Sequence, residues 1–359
     1  MRFHPILIAP SLLLSLAPTP RLLGQLSVPS QLSLPLPTQP LPTQPLPTQP
    51  LPTQPLRWTR VKMELPPSIQ VCVANGNPAG GQAASPRAWS VDIDYNDQSL
   101  RAQPWLSKSA TGRETGSAMA KQLGALVAIN GGYFDMMRQP ARTFSLVMRN
   151  GKVEVPNISV VKRPNPSRAY AVTRSAFGIR ANRTFDVAWV AQQGDVVWAY
   201  PKPVAHTATT VAASPAGDLT SGGKVWDVVD ALGAGPTLIS DGVIQDSYEN
   251  EVFFDSGFPN NEPYSRSAIG YTKNNHLILF TTDSRSRGQG LTLLQTAREM
   301  QRLGCVEAMN LDGGGSETLV VKGQTLNQAA GQDRAITSIL AIVPNTSTIG
   351  KTKAASTTR

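Results

Sequence analysis

Twice in this chain a helix-like stretch ends at a glycine, a short apolar run follows, and the run closes on an asparagine beside a glycine cluster. The first unit passes from Gly124 through Ala125 to Ile129 into Asn130-Gly131-Gly132-Tyr133-Phe134-Asp135. The second passes from Gly304 through Cys305 to Met309 into Asn310-Leu311-Asp312-Gly313-Gly314-Gly315-Ser316. The change from helical periodicity to a buried apolar run puts both clusters at the end of a strand. Glycine at such a place serves either a backbone needing positive φ or a ligand that comes too close for a Cβ. Two copies with carboxylates beside them read as two walls of one binding site.

The rest of the chain divides by composition. Arg2 ahead of the apolar stretch Ile6 to Ala17, which is too short to span a bilayer, predicts a signal peptide over residues 1–26 and a secreted, periplasmic or envelope location. Residues 27–67 read as a Pro-rich linker in which Leu-Pro-Thr-Gln-Pro repeats four times in tandem from Leu36 to Pro55. Two prolines in every five residues forbid helix and ladder pairing and favour an extended polyproline stalk. Residues 68–343 read as one large domain, and 344–359 as a disordered tail.

Within the domain, Ile69 to Ala74 and the alternating Ala88 to Tyr95 predict strands, as do the β-branched runs between Val153 and Trp226. Ser267 to Tyr271 and Leu277 to Thr282 predict a hairpin turning at Asn274-Asn275. Thr111 with Glu114 reads as a capping box for a helix through Leu123, and Thr292 with Gln295 as another for a helix ending at Gly304. Strands outnumber helices, yet two helices feed central strands. The expected class is therefore α+β, with β-rich mixed sheets and a few helices in a single domain large enough to bury a core. No later apolar run is long enough for a transmembrane helix.

Histidine is nearly absent, with three in the chain. His4 lies in the leader, His276 in the hairpin turn, and His206 among strands as a structural residue. The scarcity argues against a Ser-His-Asp triad and a His-rich metal site, which leaves carboxylates and arginines to do any catalysis. Asp312 ends a buried strand beside three glycines and projects into whatever the loop encloses; the same position also suits an Asx turn. Asp283-Ser284-Arg285-Ser286-Arg287 lies between a strand end and the Thr292 helix, where free amides favour an anion and an arginine can hold phosphate bidentately. It also reads as a solvated charged loop. Arg266, ahead of an apolar strand, points to the same cleft. Asp135, Asp241 and Asp312 are oxygen donors that suit a divalent cation, but without recognised spacing, so no metal or other cofactor is assigned. Cys72 and Cys305 are either bridged or buried.

The net charge of +9, from 33 basic and 24 acidic residues, is scattered rather than blocked. That favours an anionic partner, and the lack of a basic run with aromatics argues against nucleic acid. Asn130 to Phe134, Gly235-Pro236, Arg266 to Gly270, Asp283 to Arg285, Gly290 to Thr292 and Asn310 to Ser316 occur in the order seen in the phosphodiester glycosidase family, which the chain resembles from Ser68 to Val343.

The resemblance implies a hydrolase that cleaves a sugar C1–O–P linkage in a phosphorylated envelope or extracellular glycan, exopolysaccharide among them. It marks Asp312, Asp283 and Arg266 as catalytic. Asn130, Gly131, Gly132, Arg285, Asn310, Gly313, Gly314, Gly315 and Ser316 are marked as substrate-binding. The chemistry is consistent with this assignment, because the leaving phosphate is already a stabilised anion and needs little acid assistance. A carboxylate, Asp312, would stabilise the sugar cation or activate water, and Arg266 and Arg285 would hold the phosphate. A non-catalytic envelope protein that binds anionic polysaccharide is the alternative, and it would not require Asp312.

Overall fold

The computed structural model describes residues 55–75, 87–164, 167–207, 209, 222–283, 290–328 and 333–345, all within the unit Gln49–Arg359. The expected signal peptide, the repeats up to Gln54, Arg285, Arg287 and the residues beyond Asn345 lie outside the described residues. Asp283 is described in its backbone alone.

Three antiparallel sheets build the domain. In the eight-stranded sheet Cys305–Asn310 runs between Ser267–Thr272 and Thr237–Ser240. In the five-stranded sheet Val127–Asn130 runs between Leu319–Val321 and Ser338–Pro344. The seven-stranded sheet centres on Arg174–Ile179, and a hairpin of Val160–Pro164 with Ser167–Ala171 stands beside it as a separate pair. Val127–Asn130 is buried at every position, as an unbroken apolar run requires when both faces of a strand are covered. The largest core cluster takes Val71, Val91 and Ile93 from the first sheet, Val127 and Ile129 from the second, and Phe177 and Val187 from the third. The main core therefore lies among the three sheets, and burial of these side chains supplies the main driving force for the fold.

Helix α1 (Gly116–Leu123) covers the five-stranded sheet through Met119 and Ala120, packed with Ala128, Ile339 and Ala341. Helix α2 (Leu293–Arg302) covers the eight-stranded sheet through Leu293, Ala297 and Met300, packed with Ile239 and Ala308. Each helix hands the chain directly to the strand that ends at the corresponding asparagine.

The class is α+β and β-rich in a single domain, as expected. Every described pairing is antiparallel, however, so the expected mixed strand directions are corrected. The capping box of α2 is present as expected, with the Thr292 hydroxyl accepting from Gln295 N and the Gln295 side chain accepting from Thr292 N. The cap of α1 is instead Thr115, whose hydroxyl accepts from Ala118 N. Glu114–Thr115 pairs with Ala335–Ile336 as a short strand, so no helix can begin at Thr111.

The body also begins earlier than Ser68. Trp58–Val61 pairs with Ile69–Ala74, and Leu56 is buried beside α2 with its N–H aimed at Glu299. Cys72 and Cys305 are both free thiols. His206 is buried against Tyr170 and bonded to backbone, which makes it structural. His276 opens its strand and pairs with Asp92 at 2.7 Å rather than standing free in the turn.

Candidate active site

The ends of the two helix–strand units meet. Asn130 Nδ2 donates to the Asp312 carbonyl at 2.7 Å, and Asp312 N donates to the Gly131 carbonyl at 3.2 Å. The Asn130 carbonyl oxygen of the side chain accepts from Thr318 N at 3.0 Å. Asn130 is buried, and its amide is fully committed to backbone, so it clamps the Asp312 loop onto the five-stranded sheet instead of reaching a ligand. Asn310 does similar work on the other strand, donating to the Tyr133 hydroxyl at 3.2 Å.

The glycines are explained by the protein's own packing. A Cβ on Gly132 would stand 2.2 Å from the Gly233 carbonyl oxygen, so only glycine lets the five- and seven-stranded sheets approach there. Gly314 has φ +62 and lies under Tyr264.

Asp312 opens onto a cavity of about 640 Å³. Its carboxylate accepts from the Ser316 hydroxyl and from Gly313 N–H, an Asx-like arrangement inside the loop. Burial nevertheless dominates and pushes its pKa up to about 7, against those hydrogen bonds and the more distant Arg334 cation. Gly313, Gly315 and Ser316 line the same cavity. Tyr133, Phe253, Phe258 and Tyr264 form aromatic walls, with the Tyr133 and Phe253 ring centroids 5.4 Å apart. The Tyr133 hydroxyl donates to the Gly235 carbonyl at 2.8 Å; burial and the Asp312 charge hold it protonated.

Four cationic side chains share the cavity with the carboxylate, and of these Arg334 is close enough to lower its pKa. Lys162, Arg163, Arg174 and Arg334 all line the cavity, against Asp312 and Asp255 as its acids. Arg174 is the most enclosed. Its guanidinium lies 3.8 Å from the Phe253 ring centre and donates to the Val252 carbonyl at 3.0 Å. Burial lowers its pKa to about 10, partly countered by Glu251, so it stays charged at neutral pH. Glu251 is wholly buried behind it and accepts from Ser175 N and Oγ, Trp189 Nε1, Thr237 N and Ser247 Oγ.

Arg266 lies behind the aromatic wall. Fully buried, it donates from Nε to the Leu291 carbonyl at 2.9 Å and from an Nη to Pro259 at 2.6 Å, and it stacks on Phe258 and Tyr264. It is not among the residues that line the cavity, and its other Nη is buried without a hydrogen-bond partner among the described residues. Asp135 and Asp241 stand at the surface, and among the described residues no three His, Cys, Asp or Glu side chains gather as metal ligands.

Reading the sequence missed Arg174, Arg334, Glu251 and the role of Tyr133. Tyr133 stood inside the first motif, and Arg174 heads an apolar strand as Arg266 does. Glu251 was hidden in a stretch that reads as a polar loop, although Val252, Phe253 and Phe254 directly follow it.

Fold and cavity together define a β-rich α+β protein with a carboxylate-and-cation cleft at the ends of two central strands. The chain belongs to the phosphodiester glycosidase family, whose model matches residues 123–343. A segment of 59 residues, 16% of this chain, is 41% identical to the N-acetylglucosamine-1-phosphodiester alpha-N-acetylglucosaminidase of Mus musculus, of which it covers 11%. A segment of 84 residues, 23% of this chain, is 36% identical to the SPbeta prophage-derived uncharacterized protein YomE of Bacillus subtilis (strain 168), covering 13% of that protein. The aligned segments thus span only a small part of these curated relatives.

Among solved structures, the catalytic domain of the zebrafish N-acetylglucosamine-1-phosphodiester alpha-N-acetylglucosaminidase superposes with a TM-score of 0.54 at 20% identity, covering 81% of this chain and 89% of that one. A hypothetical protein from Synechocystis gives 0.51 at 19%, covering 81% and 68%. At these identities the likeness is one of fold.

Proposed function

We propose that this protein hydrolyses a glycosyl phosphodiester, cutting the C1–O bond of a sugar C1–O–P linkage in an envelope or extracellular glycan. The observation that carries this reading is Asp312, a carboxylate whose pKa of about 7 places it between its two charge states at neutral pH, in the lining of a cavity where four cationic side chains stand against one further acid, Asp255. A base is most effective when its pKa lies near the working pH.

In this scheme the aromatic walls hold the sugar ring, and Arg174, with Arg163, Arg334 and Lys162 around it, holds the phosphate. Ionised Asp312 takes a proton from water as its oxygen bonds to C1. The C1–O bond breaks with its electron pair leaving on the phosphate oxygen, so the products are the free sugar and a phosphomonoester. Preorganised cations stabilise the departing phosphate without reorganisation. Asn130 and Asn310 keep the two strand ends in register, which fixes the carboxylate relative to the cations. A signal peptide expected over residues 1–26 would support an extracellular or envelope setting.

The names borne by the curated relatives make an N-acetylglucosamine-1-phosphate ester the first substrate to try. Incubation should release free sugar and phosphomonoester in equal amounts, and Asp312→Asn should bind the ester without releasing either. Tight binding of phosphorylated glycan by a wild-type protein that hydrolyses no ester of this class would replace this reading with that of an envelope polysaccharide-binding protein.

A further inference from the structure

Two hairpins that belong to none of the three sheets lend side chains to the first cavity. Phe134–Asp135 pairs with Arg142–Thr143 and carries the tip Met136 to Ala141, and Val160–Pro164 pairs with Ser167–Ala171. Met136 and the adjoining Phe144 line the cavity from the first hairpin, and Val160, Lys162 and Arg163 line it from the second. Apolar side chains are concentrated in the open here. Met136 is 45% exposed, Met137 91%, Phe144 37% and Val160 47%, and the half-exposed Tyr264 lines the same cavity. These are five of the nine large apolar side chains exposed among the described residues. The other four, Val196, Val225, Val243 and Leu294, line neither this cavity nor the one beside it. Single exposed apolar residues need no explanation, but a cluster marks a docking site.

The cluster is interleaved with positive charge. The two hairpins carry Arg138, Arg142, Lys162, Arg163 and Arg168, opposed among their described residues by Asp135 alone. All of these cations except the half-buried Arg163 are exposed. Met137 N donates to Asp135 Oδ1 at 3.0 Å, which holds the tip in shape while the Met137 side chain stands in solvent.

We propose that this face docks on the surface of an anionic lipid bilayer, with the Met136–Met137 tip, Phe144 and Val160 entering the headgroup region and the cations around them meeting lipid phosphates. The docking does not depend on the hydrolysis proposed above. Charge interleaved with apolar side chains favours a bilayer over a protein partner. The core of a protein–protein interface is depleted in charge, whereas contact at a membrane surface draws on buried apolar area and on attraction to anionic lipid together. That attraction fades within about a Debye length, so exposed arginines beside the apolar tip are the ones that count.

The test is hydrogen exchange of the full chain with vesicles of mixed phosphatidylglycerol and phosphatidylcholine, compared with phosphatidylcholine alone. Exchange resolved along the chain separates this face from any contact made by the apolar stretch Ile6 to Ala17. On the anionic vesicles the amides of the tip Met136 to Ala141 should exchange at least tenfold more slowly, with little slowing on phosphatidylcholine and a decline as salt is raised. Met137→Gln should remove most of that protection, and Arg138→Gln and Arg142→Gln should each reduce it ~fivefold, one cation's share. All three side chains are exposed, so the melting temperature should stay unchanged. No protection of the tip, equal protection on both kinds of vesicle, or full protection in all three variants overturns the proposal. Equal protection by dextran sulfate in place of vesicles overturns the bilayer in favour of a soluble polyanion. Protection that appears without vesicles and grows with protein concentration overturns it in favour of contact between two copies of the chain.

Discussion

Replacing Asp312 by asparagine should make the protein more stable and less active at once, and the pH dependence of the gain reveals its cause. In the fold the carboxyl group has a pKa of about 7, against an ordinary value of 3.8. For an acid whose pKa is raised by folding, the unfolded chain releases its proton first as pH rises. Stability therefore declines between pH 4 and 7 and stays reduced above 7. At about 1.4 kcal/mol per pKa unit, the ionised group costs up to about 4 kcal/mol above pH 7. Asparagine keeps the oxygen that accepts from Gly313 N–H and Ser316 and carries no charge. For a domain of this size that should raise Tm by roughly 5–8 °C at pH 8, falling to nearly nothing at pH 4. Over the same range turnover should drop ~10²–10⁴-fold, the usual contribution of a placed acid–base group. In the wild type kcat/KM should rise with pH through about 7, because the ionised form takes the proton from water. Scanning calorimetry of both proteins from pH 4 to pH 8 is the assay. A Tm difference that does not vary with pH, or a variant less stable at pH 8, would refute the claim that burial sets this pKa.

Arg174→Lys keeps the charge but loses the planar fork over Phe253; forfeiting one charge-assisted bond, ~1.5 kcal/mol, should lower kcat/KM roughly tenfold in steady-state assays. Glu251→Gln sets an amide donor among five groups that all donate to the carboxylate, and should cost about 3 kcal/mol, read as a Tm loss of roughly 6 °C or more. A chain beginning at Pro55 should melt with the longer protein, whereas one beginning at Arg57 loses the buried Leu56, worth ~1.5–3 kcal/mol, and should melt several degrees lower. Equal melting of both shortened chains would show that Leu56 does not anchor the start of the domain.

Much of the scaffold could be read from local pattern, because local physics decided it. Gly124 and Gly304 stop helices, Thr292 and Gln295 cap one, and the fully buried run Val127–Asn130 forms the central strand its apolar content required. Local pattern misled where long-range pairing prevailed. Glu114 was drawn into a strand with Ile336, which moved the helix start to Gly116, and the Pro-rich stretch turned into sheet at Trp58.

At the site, the convergence of Asn130 and Asp312 was legible from their matching contexts, but the roles of the side chains were not. Nothing local distinguishes Arg266, which donates to the Leu291 and Pro259 carbonyls and is not in the cavity lining, from Arg174, which lines the cavity. Both arginines stand at the head of apolar strands, and only the packing of Phe253, Phe258 and Tyr264 separates the one that lines the cavity from the one that does not. Glycines 131 and 132 likewise carry a signal of close approach without saying to what, and the neighbours prove to be Ser338, Gly233 and Ser145.

The central claim, that water attacks the sugar carbon and not phosphorus, is tested most directly by running the hydrolysis of a sugar-1-phosphodiester in ¹⁸O-enriched water. The account predicts the heavy oxygen in the C1 hydroxyl of the released sugar and a phosphomonoester whose ³¹P resonance shows no isotope shift. Heavy oxygen in the phosphate would mean that the P–O bond is cut, and would contradict it.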